Sequence, residues 1–514
     1  MSSSSSTFRV VLPEGRDDSG EDEPLLSSNT LANPQHNHQH AVLPAARPLS
    51  TLILYFMAIH FLLAFAEIIL VAPLIRLFEN SLCLTHYGFP DGGVAEALCK
   101  IPEIQRPLAT IRGWKAMFDT IPVLLVAIPI GKLGDHHGRR KIMAMSLIGV
   151  AGSLAEIFIV CTFPQRFPLQ LVWFSSAILL FGGGLNSASA FMWAMASESI
   201  PSNKRSHAFY YIFSAFYVAE LISSFVASVT LDISPWIPCG LAMGAVVLCL
   251  LLLVAMPDPR QSATSDHIPP KIGDGVESTA SPLTASTPRT SVQGLMSAIS
   301  DRNICLTIPV FLVGIFRYAM LNILIQYASV RFGLKISSGA IFYTETAFVN
   351  IFLFLFLIPD ITSYVRLRFN VQPSVIDLFL VRTSVSLMCV GCLAIGLAQT
   401  NSLLPFGVFV FAAGFGSRVS ALSLVSYWIS DNAKATLYAA IVVLESLGHA
   451  VGDPSIQQVF AASLQLPPFW MAMPFFVGAA FYSLAAFSTV FIRLNKPSAD
   501  SSETGEDSME NDLA

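Results

Sequence analysis

Gly131-Lys132-Leu133-Gly134-Asp135-His136-His137-Gly138-Arg139-Arg140-Lys141 separates two long apolar runs. It reads as a short basic hinge between two membrane spans. Its glycines permit close helix approach and a tight reversal of the chain. Arg139, Arg140 and Lys141 are costly in lipid and hold the hinge on one side, by the usual charge bias the cytoplasmic one.

The flanks extend this pattern along the chain. Of 514 residues, 54% are hydrophobic and 12% charged, against about 25% charged in soluble domains. Mean hydropathy is +0.62. The charges gather in tails and loops, so lipid must solvate the rest. The net charge of -5 comes largely from the two tails and gives no reason to expect nucleic acid. No apolar h-region precedes about residue 50, so a cleaved signal peptide is not expected.

Twelve apolar runs suit the roughly 20 residues that a span needs. They lie near 50–72, 110–131, 142–162, 169–196, 207–229, 236–256, 303–326, 338–358, 376–398, 403–427, 434–455 and 468–492. The expected fold is an all-α membrane protein of twelve transmembrane helices in two six-helix bundles, 50–256 and 302–493. Segments 1–49, 257–301 and 494–514 are polar and are expected to be a disordered tail, a linker and a second tail, all cytoplasmic. That orientation leaves about eighteen Lys and Arg inside and about seven in outer loops. A weaker counterpart of the hinge runs from Pro359-Asp360 to Arg366 and Arg368. In the first tail, Glu21-Asp22-Glu23-Pro24-Leu25-Leu26 resembles an acidic dileucine sorting signal.

Residues 73–109 read as a long outer loop. Cys83 and Cys99 would there face the oxidising side, as a disulfide closing a cap or as two free thiols. Cys389 and Cys392, inside an apolar run, read as packing.

The order G-x-L-x-D-x-x-G-R-R-K resembles the signature between helices two and three of the major facilitator superfamily. The resemblance implies that Gly131 packs helix two against helix eleven, that Asp135 faces the N-terminal end of helix eleven, and that Arg139 pairs with nearby acids. Gly138 and Arg140 complete the motif, and His136 stands where the family usually has Arg or Lys. Cys99-Lys100, Gln105, Ile111-Arg112-Gly113-Trp114, Phe118-Asp119-Thr120-Ile121-Pro122 and Gly182-Gly183-Gly184 together are similar to a fungal facilitator group, itself distantly similar to the proton-coupled haem and folate carriers. The motifs that mark drug:proton antiporters in helices four and five are absent.

A charge at mid-membrane costs about 2.5–3.5 kcal/mol on insertion scales, so each needs a partner or a water-filled cavity. The resemblance makes helices one, four, seven and ten the cavity walls. Glu67, Asn186, Trp193, Arg317, Tyr318, Asn322 and Arg418 thereby become cavity candidates. Tyr318, Asn322 and Gln326 recur every four residues, either lining the cavity or joining helices. Tyr217, Glu220 and Ser224 share one face of the fifth run. Glu220 could bind and release a proton if water reached it in turn from each side, with Glu67 and Glu345 as the next candidates. Glu220 and Arg418 also resemble a helix-five Glu and a helix-ten Arg of the folate carriers. Asp377 and Arg382, near a cytoplasmic end, are expected to snorkel or to pair locally, in a structural role. Glu445 and His449, spaced i, i+4, are expected to hydrogen-bond each other. Asp119 reads either as a packing acid or as a site acid. Glu156 receives no role.

These residues imply a carrier moving a small organic molecule by alternating access. Export of a metabolite or toxin by proton antiport is the leading use. Proton-coupled uptake of an organic anion, clamped by Arg317 and Arg418, is the alternative, and a non-transporting nutrient receptor a third reading. No phosphate-binding loop, nucleophile–base pair or metal-ligand cluster stands out, so no enzyme activity, cofactor or metal is expected. The partners expected are the substrate, protons and the bilayer, for a monomer in the plasma membrane or, alternatively, the vacuolar membrane.

Overall fold

The computed structural model describes residues 49–88, 94–256, 302–314, 316–428 and 431–494. The dileucine-like hexapeptide and nearly all of the tails and linker lie outside the described residues.

Lipid offers the backbone no hydrogen-bond partners, so apolar runs of this length fold into helices that satisfy their own amides. Up to the hinge the chain forms α1 (Leu49–Ile68), α2 (Val71–Tyr87) and α3 (Pro102–His137). Beyond the hinge come α4 (Arg139–Thr162), α5 (Phe174–Ile178), α6 (Gly184–Ser199), α7 (Ser202–Leu231) and α8 (Trp236–Ala255). The chain resumes with α9 (Arg302–Gly314), α10 (Phe316–Phe332) and α11 (Ile336–Phe352), then α12 (Ile358–Phe369) and α13 (Pro373–Leu397). It ends with α14 (Leu404–Ala413), α15 (Ser417–Ser426), α16 (Asp431–Ser463) and α17 (Met473–Val490). A π-helical turn, Leu353–Leu357, joins α11 to α12. There is no strand among the described residues. The core is aliphatic and aromatic throughout, from Phe56 in α1 to Tyr482 in α17. Its main pairings set α1 on α7, α3 on α16, α7 on α11, and α13 on α17.

Among the described residues, nine helical stretches are long and apolar enough to cross a membrane. The expected runs near 110–131, 169–196 and 434–455 are not among them. The helix at the first carries Arg112, Lys115 and Asp119, and the helix at the third carries Glu445 and Asp453. The second is broken, contrary to the single helix expected. Gly182, Gly183 and Gly184 hold φ of 124°, 80° and 71°, a region in which a side chain is strained. A Cβ on Gly182 would stand 2.4 Å from the Ser146 Cα in α4, and the Ser146 hydroxyl donates to the Gly182 carbonyl at 2.5 Å. The tenth run breaks likewise between α14 and α15, where a Cβ on Gly414 would meet the Ser384 carbonyl of α13 at 2.4 Å. Each break presses on the span before it.

The outer loop expected over 73–109 is also corrected. Most of it is helical, because α2 continues to Tyr87 and α3 begins at Pro102. The polar residues that mark a loop in the sequence are here consumed by one another.

Candidate functional site

One end of the bundle carries the Cys83–Cys99 disulfide and the other the Gly131–Lys141 hinge. The disulfide end is tied across the molecule. Glu79, fully buried, accepts from Arg76 (2.9 Å), Lys100 (2.6 Å) and the Gln105 amide (2.6 Å). The Gln105 side-chain oxygen accepts from Gln326 of α10 at 2.8 Å. The Gln326 oxygen accepts from Arg112 at 2.8 Å, and Arg112 also donates to the Asn322 carbonyl at 3.2 Å. Glu96 takes Lys100 and the backbone N–H of Ile336, at 2.9 and 2.8 Å. The Tyr343 hydroxyl donates to Asn322 Oδ1 at 2.9 Å. Residues before Gly113 are thus joined to residues after Ala319 by charged hydrogen bonds shielded from water, the setting in which such bonds are strongest and hardest to break singly.

Arg76, Glu79, Glu96 and Gln105 were not legible as one network. The local signals are the i, i+3 spacing of Arg76 and Glu79 and the i, i+4 spacing of Glu96 and Lys100. For the disulfide, mass spectrometry of unreduced, thiol-blocked protein should find the Cys83 and Cys99 peptides linked. Alkylation of both cysteines before reduction would exclude the cross-link.

The hinge end differs. Gly138, at φ 94°, turns the chain from α3 into α4. Arg139 pairs with Glu198 at 3.0 Å and Arg140 donates to the Val254 carbonyl. Gly134 abuts Phe191 of α6. The Asp135 side chain lies outside the described residues. Among the described side chains, a Cβ on Gly131 would meet nothing within 4 Å; the side chains of α16 from 431 to 439 lie outside the described residues. On the same helix, a Cβ on Gly113 would stand 2.9 Å from Gln457 Cβ of α16. The two glycines are about five whole turns apart, so both look along one face. Helices α3 and α16 therefore touch at the disulfide end. The hydrogen bonds that cross the molecule from Gln105 and Arg112 to α10 lie toward the same end.

Two adjoining cavities sit between these levels and share Leu74, Lys115 and Asp119. One, of about 260 Å³, is lined by Glu67 and Asn186, with Ser153 and Leu185. The other, of about 200 Å³, is lined by Asn322 together with Arg112, Asp453 and Gln457. The structure thus brings Glu67 and Asn186 together and sets Asn322 next door. Asp119 is held by Lys115, 2.8 Å from each carboxylate oxygen, and accepts from Ser176 at 2.5 Å, which fastens α3 to α5.

The remaining candidates lie apart from these cavities. Trp193 packs edge-on to His60 and Phe209, each at 5.2 Å. Arg317 sits over the Tyr318 and Phe415 rings, at 4.6 and 5.0 Å. Arg418 grips Glu445 through two bonds of 2.6 and 2.8 Å. That pair corrects the expected Glu445–His449 link: a bidentate guanidinium outcompetes an imidazole for a carboxylate, and His449 faces Asp453 at 3.4 Å instead. Arg382 donates to the carbonyls of Thr489, Val490 and Ile492, and Asp377 accepts from Ser423.

Glu220 is buried on α7, 1% exposed; no hydrogen bond of good geometry reaches either carboxyl oxygen, and the Asn350 side chain and the Arg317 charge are its polar neighbours. The two polar side chains that share its face are engaged elsewhere. The Ser224 hydroxyl donates to the Glu220 backbone carbonyl at 2.7 Å, and Tyr217 stacks on Phe354 at 5.5 Å. Asn350 of α11 lies beside Glu220, and its Oδ1 is likewise buried without a donor. Glu345 is partly buried on the same helix.

A family model described as Major Facilitator Superfamily matches residues 108–372. The chain is 29% identical over 422 residues to the MFS efflux pump atnC of Emericella nidulans, covering 79% of this chain and 81% of that one. It is 29% identical over 410 residues to the efflux pump ustT of Aspergillus flavus, covering 77% and 80%. Among solved structures, a D-xylose-proton symporter superposes with a TM-score of 0.59 at 13% identity, over 87% of this chain and 98% of that one. A bacterial homologue of ferroportin in an inward-facing state gives 0.58 at 11% identity, over 86% and 97%. At such identities these structures speak for the fold alone. With the family matched over half of its length, and with membrane-spanning helices broken and packed in this way, this chain belongs to the Major Facilitator Superfamily and is a multi-pass membrane transporter of small molecules.

Proposed function

We propose that the chain exports a small organic metabolite or toxin in exchange for protons, by alternating access. The observation that carries the proton side is Glu220. A buried carboxyl with no hydrogen bond of good geometry stands beside the Asn350 side chain, whose oxygen also lacks a donor. Leaving such groups unpaired is costly. A proton on Glu220 would satisfy both at once by donating to Asn350 Oδ1. Because Glu220 and Asn350 lie on the packed pair α7 and α11, movement between these helices would alter that bond. Glu67 and Glu345 are the reserve carriers.

The direction rests on the relatives at 29% identity that are named efflux pumps. By the charge bias of the loops, the hinge end, both termini and the 257–301 linker face the cytoplasm. For export the cavities would load from that side. The hinge motif, with Asp135 at its centre, would stabilise one of the two states. The halves 50–256 and 302–493 would rock about the cavities. A monomer in the plasma membrane serves this reading, and the vacuolar membrane serves it with storage in place of secretion. For anion uptake, one of the two expected clamps, Arg418, is already committed to Glu445.

Deleting the gene and profiling small molecules in cells and medium tests the reading. A compound should rise inside the cells and fall outside, and a protonophore applied to wild-type cells should reproduce the change. Slower loss of an external organic anion from the medium, with no compound retained, would replace export by uptake.

A further inference from the structure

The cavity at Arg112 holds more polar groups than the bundle uses for its own cohesion. Lys115 and Asp119 neutralise each other. What remains is uneven. Arg112 donates to two neutral acceptors, the Gln326 amide oxygen and the Asn322 carbonyl, and forms no ion pair with Asp453 in the same cavity. Asp453 has one oxygen on His449 at 3.4 Å, while its Oδ1 is buried without a donor. Gln457, 6% exposed and one turn further along α16, has an Oε1 that is also without a donor. Buried polar atoms are almost always paired. Here a cation lacking a carboxylate and two acceptors lacking donors line one cavity of about 200 Å³.

The complement is specific. A carboxylate would complete Arg112 in a charge-assisted bond. An ammonium, a donor and a positive charge at once, would meet the Asp453 carboxylate, which keeps 23% exposure, beside Gln457. A ligand with only one of these groups would leave the other side unpaired. The wall contributed by α2 is apolar, which suits a hydrocarbon side chain. The volume lies below the roughly 300–1,000 Å³ of sites for drug-sized ligands, so the cavity admits an end group and not a whole large metabolite. The adjoining cavity with Glu67 and Asn186 extends from it through shared residues.

We propose that this cavity recognises the zwitterionic α-amino-acid end of the transported molecule, with Arg112 on its carboxylate and Asp453 and Gln457 on its ammonium. The inference rests on the export reading, because it takes these cavities as the transport path.

The test uses the purified full-length protein in lipid nanodiscs, with thermal stability read against three probes. L-leucine carries both charges, L-leucinamide only the ammonium, and isocaproate only the carboxylate. Leucine should bind roughly tenfold or more tighter than either other probe. Asp453→Asn, nearly isosteric, should weaken leucine roughly tenfold and leave isocaproate unchanged. Arg112→Gln should do the reverse, weakening leucine and sparing leucinamide. Should Arg112→Gln fail to fold, because Arg112 also ties α3 to α10, the Asp453→Asn result decides alone. Equal binding of the three probes, leucine binding indifferent to Asp453→Asn, or no binding by any probe overturns the proposal. The two readings fail separately. Leucine binding of the expected kind without competition for the exported compound keeps the site and removes it from the transport path. Intact export with no zwitterion preference removes the site and leaves export standing.

Discussion

Glu220→Gln should abolish transport driven by a pH gradient and leave substrate exchange intact. Glutamine keeps the side-chain volume and cannot ionise. Its amide N–H can donate to Asn350 Oδ1, the oxygen that lacks a donor in the structure, so the protein should fold with undiminished yield. Exchange needs the cavity to change sides with substrate aboard and moves no net proton. Net uphill transport needs a site that is protonated on one side and deprotonated on the other. Reconstituted protein separates the two: counterflow of labelled substrate at equal pH reports exchange, and accumulation under an imposed gradient reports coupling. Gradient-driven accumulation by a well-expressed Glu220→Gln protein would remove Glu220 from the coupling and turn attention to Glu67. Loss of both activities together with yield would make Glu220 a packing residue.

Gly182→Ala should be among the most damaging single-methyl changes in the chain. The φ of 124° strains any side chain, at about 1–2 kcal/mol. The added carbon would also stand 2.4 Å from Ser146 Cα and 2.7 Å from its backbone nitrogen. Backbone atoms cannot rotate aside as a side chain can, so α4 and the α5–α6 break must separate, and forced overpacking costs typically about 1–3 kcal/mol more. Together these approach the lower end of the roughly 5–15 kcal/mol that keeps a domain folded. Gly240→Ala is the control. It sits inside α8 with nothing within 4 Å of the new methyl, and alanine is the better helix former by about 1 kcal/mol. Gly182→Ala should elute mainly as aggregate or melt well below wild type, while Gly240→Ala should match it. Equal melting of the two variants would mean that the break in the fourth run is not held by close contact.

Some of this molecule is determined by its sequence without further help. Apolar runs of about 20 residues must become helices in lipid, because no other segment can satisfy its own backbone there. The hinge at Gly131–Lys141 announces itself by glycine and positive charge, and its order of residues resembles the superfamily whose model matches residues 108–372. Lys115 and Asp119 stand i, i+4 on α3 and do pair, a link that spacing permits but that the sequence reading did not draw. Other pairings were decided by tertiary structure. Glu445 has His449 one turn away and yet binds Arg418, 27 positions distant. Arg112 meets Gln326, 214 positions away. The reason lies in the solvent. A helix in water shows its buried face by polarity, whereas a helix with lipid on one side and protein on the other is apolar all round. The sequence therefore determines which segments are helices and how far apart their polar groups lie along the chain. The rotation of each helix about its axis, and with it the partner of each buried charge, is set only when the helices pack.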